Sequence, residues 1–135
     1  MAEAFQFELV SPERLLLSEE ATQVVVPGIE GEFGIMAGHA PMMSTLRPGV
    51  LTVSRPSGSD EAYFVRGGFA EAGPKGLTVL AEQAVPMADL KADEIARQIR
   101  EAEEDLADAK DEATRDRAAS LLQQLRDVEA ALATH

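Results

Sequence analysis

Two carboxylates, Glu30 and Glu32, and a histidine, His39, stand in a glycine-rich stretch at residues 27–41, reading P-G-I-E-G-E-F-G-I-M-A-G-H-A-P. Acids and an imidazole in one loop could hold a divalent cation or serve a small hydrolase by acid–base chemistry. Neither reading finds its remaining parts. The other histidine is the C-terminal His135, cysteine is absent, and nothing resembling a calcium loop surrounds the two glutamates. No Gly-x-Ser-x-Gly elbow supplies a nucleophile, and no Gly-Lys-Ser/Thr closes the glycine-rich run as a phosphate loop would. The glycines at 28, 31, 34 and 38 instead predict a tightly turned excursion between strands, not regular structure. Such a turn projects negative charge and an imidazole outward, which is how a contact surface is built.

The elements that must carry this turn divide the chain in two. Residues 1–85 show the period of strands: Phe5, Phe7 and Leu9 alternate with Gln6 and Glu8, and β-rich runs follow at 15–17, 22–26, 50–54, 62–65 and 77–81. Turn residues punctuate them, among them Pro27-Gly28, Pro48-Gly49 and Gly73-Pro74-Lys75-Gly76. Many short strands so spaced predict a β-sandwich or flattened barrel. The Arg66-Gly67-Gly68-Phe69 stretch reads as a tight connection between strands, since no helix follows to make a phosphate cradle.

From residue 88 to 135 the rules change. Glycine vanishes, proline is gone after Pro86, and apolar residues fall at helical spacing. Ile95, Ile99, Ala102, Leu106 and Ala109 form one stripe; Ala118, Leu121, Leu125, Val128 and Leu132 form another. Lys110-Asp111-Glu112 is the expected reversal, with Asp89 capping the first helix and Asp111 or Thr114 the second. Glu94–Arg97 and Arg100–Glu104 are the expected exposed pairs. The expectation is an antiparallel helical hairpin whose acidic run, Glu101, Glu103, Glu104, Asp105 and Asp108, is a solvated outer face. Its few large aliphatics offer roughly 1.5–3 kcal/mol each when buried. Ordering the backbone costs about 1–2 kcal/mol per residue. Such a hairpin needs something to lean on, either the sandwich or another protein.

Composition narrows the function. Hydrophobic residues make up 45% of the 135, but aromatics only 4% and tryptophan none, so the core must be aliphatic. A net charge of −12 excludes nucleic acid as a main partner, because no basic stripe exists to neutralise phosphates. The N-terminal residues lack a basic and apolar leader, and no run approaches a membrane span, so a non-exported chain without membrane insertion is expected.

Taken together, residues 9–14, 27–41, 46–49 (L-R-P-G), 63–71 (Y-F-V-R-G-G-F-A-E) and 78–82 (T-V-L-A-E) resemble the epsilon subunits of bacterial F-type ATP synthases, in order and near-family spacing. The resemblance is dense over the N-terminal half; beyond it, length and helical character match. It implies an α+β protein, a ten-stranded β-sandwich followed by a two-helix hairpin. It implies a rotor part of the central stalk with no chemistry and no cofactor of its own, peripheral on the cytoplasmic face of the bacterial inner membrane. The sandwich would clamp onto the gamma subunit and rest on the ring of c subunits, coupling proton flow to rotation and ATP synthesis. The family's ring-contacting loop maps onto Glu30, Gly31, Glu32, Phe33 and Gly34, and the gamma-facing segment onto His39, Ala40, Pro41 and Met42.

The resemblance also carries an alternative, regulatory role. In many members the hairpin extends along gamma and blocks ATP hydrolysis, basic residues of its last helix engaging the catalytic beta subunits of the alpha–beta assembly. Residues 88–135 here hold thirteen acidic residues against seven basic, so an acidic target would repel the hairpin. Some members bind ATP through an Ile/Leu-Asp-x-x-Arg-Ala motif at the hairpin's start. Here Ala88 replaces the aspartate and Lys91 the arginine, which keeps a charge but loses the planar fork. Constitutive coupling with weak or absent ATP binding is the expectation.

Overall fold

Alternation and turn chemistry act as anticipated in the first half of the chain. The structure, a computed structural model, describes residues 3–134, so His135 lies outside the described residues. Eight strands are formed: β1 (Phe5–Ser11), β2 (Arg14–Ala21), β3 (Gln23–Gly28), β4 (Gly31–Ile35), β5 (Met42–Thr45), β6 (Gly49–Ser54), β7 (Asp60–Gly73) and β8 (Gly76–Pro86). Their order is β2-β1-β8-β7-β6-β3-β4, with β5 added on β7. All pairings are antiparallel except β1 with β8.

The count is eight strands, not the ten expected, and the reason lies in the two longest. The first half of β7 pairs with β6 and its second half with β5, while β8 runs beside it throughout. The halves of β7 and β8 therefore belong to different layers of the sandwich, and the chain bends between them without breaking. Gly67 and Gly68 make the bend, at φ 75° and 99°. A Cβ on Gly68 would lie 1.8 Å from the Leu80 carbonyl oxygen, so only glycine fits. The Arg66-Gly67-Gly68-Phe69 stretch is thus a kink within one strand, not a connection between two. Across it the alternation slips: Tyr63 and Val65 face the core before the bend, Ala70 and Ala72 after it.

Phe7, Leu9, Val24, Val26, Leu51, Val53, Val65 and Val79 fill the space between the layers and are fully buried. Residues 31–35, anticipated as irregular, are strand β4 instead, because the turn at Ile29-Glu30 is short enough to return the chain directly onto β3.

After a single 3-10 turn (Met87–Asp89) come α1 (Ala92–Asp108) and α2 (Glu112–Ala133). Lys91 occupies the first N-cap, with no side-chain hydrogen bond, and Asp89 lies in the 3-10 turn, so the expected Asp89 cap is not made. The second cap is as anticipated: the Asp111 carboxylate accepts the Thr114 amide at 2.7 Å. That bond holds the Asp111 carboxyl below its usual range. Arg97 pairs with both Glu94 and Glu101, and no Arg100–Glu104 pair forms among the described residues. The hairpin leans on the sandwich. Ile95, Ile99, Ala102, Leu122, Leu125 and Val128 close a second core with Phe64, Met87 and Leu90, against Val50, Ala62 and Val85 on the outer face of β6, β7 and β8.

Candidate docking surfaces

The β3–β4 turn is built around a missing side chain. Gly28 pairs with Gly31, and a Cβ on Gly28 would meet the Phe33 ring at 2.8 Å. Phe33 therefore packs inward, partly buried against the sandwich core, and acts as a prop. Alternation turns Glu32 and Gly34 outward, and the turn itself exposes Ile29 (54%) and Glu30. Of the predicted residues, Glu30, Gly31, Glu32 and Gly34 form the rim and Phe33 supports it. Glu32 also borders a crevice of about 190 Å³ shared with Arg47 and with Gln124 and Asp127 of α2.

His39 sits in the loop between β4 and β5, half-buried. Its Nδ1–H donates to the Ala40 carbonyl at 2.7 Å, and its backbone amide to Met36 O at 3.2 Å. That bond leaves Nε2 as the free ring nitrogen. Among the described residues no nucleophile is hydrogen-bonded to the ring. Ala40 and Pro41 are exposed, whereas Met42 is half-buried against the core. Of the two adjacent methionines it is Met43, 63% exposed, that faces solvent.

Met43 opens onto a surface that sequence reading missed. Thr45, Phe69, Leu80, Val10 and Leu15 are successive cross-strand neighbours from β5 through β7, β8 and β1 to β2. None of the four apolar members belongs to either core, and Phe69 and Leu15 are 37% and 54% exposed. An apolar row on the outside of a sheet is a candidate docking surface. The signal in the sequence was the pair of large apolar residues flanking exposed turns, Leu15 and Phe69, but the register was needed to align them.

Ala88 and Lys91 are both exposed, at the 3-10 turn and the α1 cap. No side-chain hydrogen bond joins them to each other or to a neighbour among the described residues. Among the described residues no three acidic or imidazole groups gather as a metal would require, and no helix is long and apolar enough to cross a membrane.

A family model of the β-sandwich domain of ATP synthase delta/epsilon chains matches residues 4–87. The chain belongs to the ATP synthase epsilon family. The epsilon chain of Mesorhizobium japonicum is 55% identical over 132 residues, 98% of each chain. That of Parvibaculum lavamentivorans is 54% identical over 128 residues, 95% of this chain and 97% of the relative. A chain in the cryo-EM structure of the Euglena gracilis mitochondrial ATP synthase, with OSCP, F1 and c-ring in rotational state 1, superposes with a TM-score of 0.77 at 28% identity. That match covers 96% of this chain and 81% of the other. A chain of the Tetrahymena thermophila central stalk/c-ring structure shares the fold, with a TM-score of 0.73 at 14% identity. Family membership makes this chain a non-catalytic component of ATP synthase. The sandwich-plus-hairpin architecture extends through the α1–α2 region as well as the matched domain.

Proposed function

We propose that the chain is a rotor subunit of the central stalk, with its sandwich clamped on gamma and seated on the c-ring so that proton flow drives rotation and ATP synthesis. The observation that carries this is the uncovered apolar row, Phe69–Leu80–Val10–Leu15, with Met43 beside it. Gamma is the occupant we assign to it. The row runs on from the Ala40-Pro41 segment, to which the family's gamma contact maps, and a subunit that transmits torque needs a broad, dry grip. His39, Ala40 and Pro41 extend that grip, and Met42 anchors the segment from the core side. The β3–β4 turn, with Glu30 and Glu32 held by Gly31, Gly34 and the Phe33 prop, is the foot placed on the c-ring. Its charges set register more than affinity. The protein would then be peripheral at the cytoplasmic face of the inner membrane.

The test is reconstitution. Exchanging Glu30 and Glu32 together for Gln leaves the isolated chain folded and lowers ATP-driven proton pumping relative to hydrolysis. Phe69→Glu abolishes capture of gamma. Unimpaired pumping and unimpaired gamma capture in the two variants would overturn the proposal.

An inhibitory hairpin is the second reading. The acidic excess of the hairpin and its docked position on the sandwich favour constitutive coupling over inhibition. Removing everything after Val85 therefore leaves hydrolysis by the reconstituted motor nearly unchanged, and a sharp rise would establish the inhibitory role. With Ala88 and Lys91 in the degenerate motif, calorimetric titration should detect no saturable ATP binding at submillimolar nucleotide.

A further inference from the structure

The contact between hairpin and sandwich contains a polar group where an apolar one would be expected. Gln98 lies on the buried stripe of α1 between Ile95 and Ala102, is 3% exposed, and is the one buried polar side chain among the described residues. Its Oε1 accepts Arg66 Nη1 at 2.5 Å, and its Nε2 donates to Gln83 Oε1 at 3.2 Å and to Glu94 Oε1 at 3.1 Å. Arg66 and Gln83 are themselves a cross-strand pair on β7 and β8, one residue before the Gly67-Gly68 bend. The carboxamide oxygen meets the cation and both amide hydrogens find acceptors, so one orientation only satisfies the site.

We infer that Gln98 is the latch that fixes where the hairpin docks, with the Arg66–Gln83 pair as its keeper. The apolar part of the contact is non-directional: a helix slid by a turn would still lay aliphatics against Val50, Phe64 and Val85. Glu94 is on α1 and travels with it, but a carboxamide that needs the Arg66 guanidinium on its oxygen and the Gln83 acceptor on its nitrogen meets both at one place on the sheet only. A single buried polar residue specifying register at some cost in stability is known from helix seams. Here it joins a helix to a sheet. The latch sits at the edge of the second core, with its keeper Arg66 half-exposed, so water can replace each bond as the hairpin lifts. The docked state is thereby specific without being permanent, whatever partner the sandwich meets.

Hydrogen exchange on the full-length chain tests it. In Gln98→Ala, amides of α1 and α2 exchange about tenfold faster, the scale of losing a hydrogen bond to a charged partner, while those of β1 and β3 are unchanged. Arg66→Ala accelerates the same amides by a smaller factor, since Gln98 keeps its Gln83 and Glu94 bonds, and the double variant adds little to Gln98→Ala, which already removes the Arg66 bond. Arg97→Ala, outside the latch on the solvent side, changes hairpin exchange less than about twofold. Should Gln98→Ala compromise folding, Gln83→Ala probes the same contact from the sandwich side and gives a smaller acceleration confined to the hairpin. Hairpin exchange at the wild-type rate in the Gln98 and Arg66 variants, or equal acceleration of sandwich and hairpin, would overturn the latch.

Discussion

Strand β7 carries two phenylalanines that both point out of the sandwich, and they meet opposite fates. Phe64 stands between Val50 and Val85 and is fully buried beneath the hairpin; Phe69 stands between Thr45 and Leu80 and is 37% exposed. The chain covers one apolar row itself and leaves the other bare. Outer apolar surface on a sheet is tolerated when something seals it, so the contrast sets an internal interface against the row proposed above as an external one. The sharpest way to break that contrast is to truncate each ring. Phe64→Ala should cost about 3–5 kcal/mol, because a fully enclosed aromatic leaves a cavity. Phe69→Ala should change the stability of the isolated chain by only about 0.5 kcal/mol and appear instead as weakened gamma capture. Urea unfolding and a gamma pull-down measure the two. Equal stability losses would mean that Phe69 is a core residue and the row no docking surface.

The second phenylalanine faces outward because of the glycines between the two. Without the slip at Gly67-Gly68, residues 64 and 69 would point to opposite faces, as odd and even positions of any strand do. Gly68→Ala must accept both a left-handed backbone and a Cβ against the Leu80 carbonyl. Strain and crowding together should cost roughly 2–4 kcal/mol. Gly58 is also at positive φ, but an added Cβ there would have nothing within 4 Å, so alanine should cost only about 1 kcal/mol. A smaller loss at 68 than at 58 would mean that the bend is not fixed by the close approach.

That kink also shows where sequence reading stops. The sandwich was legible because Phe5, Phe7 and Leu9 alternate cleanly, and the hairpin because Ile95, Ile99, Ala102, Leu125 and Val128 keep helical spacing; all of these are buried. The Asp111 cap was legible from local chemistry alone. The strand count was not, since a strand that changes layers looks like two strands with a glycine turn between. Which of Met42 and Met43 faces out could not be read either: adjacent identical residues carry no parity, and only pairing with Ala72 and Glu71 of β7 assigns it. Leu122 was passed over for Leu121 because both fit a helical stripe, and the sheet beneath decides between them. Gln98 was invisible as a site because a polar residue on a helix reads as surface until its neighbours are known. The proposed contact segments came from motif, and within them Phe33 and Met42 pack inward against the core instead of facing out.

The smallest expected effect distinguishes the covered interface by its acid response. Glu94 is held below the usual carboxylate range chiefly by hydrogen bonds from Arg97 and then by Gln98, and Glu61 in the sandwich by Tyr63 and then Arg55. A carboxyl lowered in the folded state contributes stability that is complete above its unfolded value and lost as pH falls through its folded value. Both regions therefore weaken on acidification, the hairpin through Glu94 and the Asp111 cap and the sandwich through Glu61, and none of these carboxyls adds a loss on the alkaline side. As pH falls through and below the ordinary carboxylate range, hairpin amides should lose protection in the wild type, and Glu94→Gln should flatten part of that slope, leaving the Asp111 share, with the sandwich's acid response intact. Glu61→Gln should do the reverse. The Glu94 change will be modest and will shrink in added salt, because its pairing with Arg97 is solvent-exposed. If Glu94→Gln flattened both slopes together, hairpin and sandwich would be a single cooperative unit, and the covered row would be as integral to the fold as the core between the two layers.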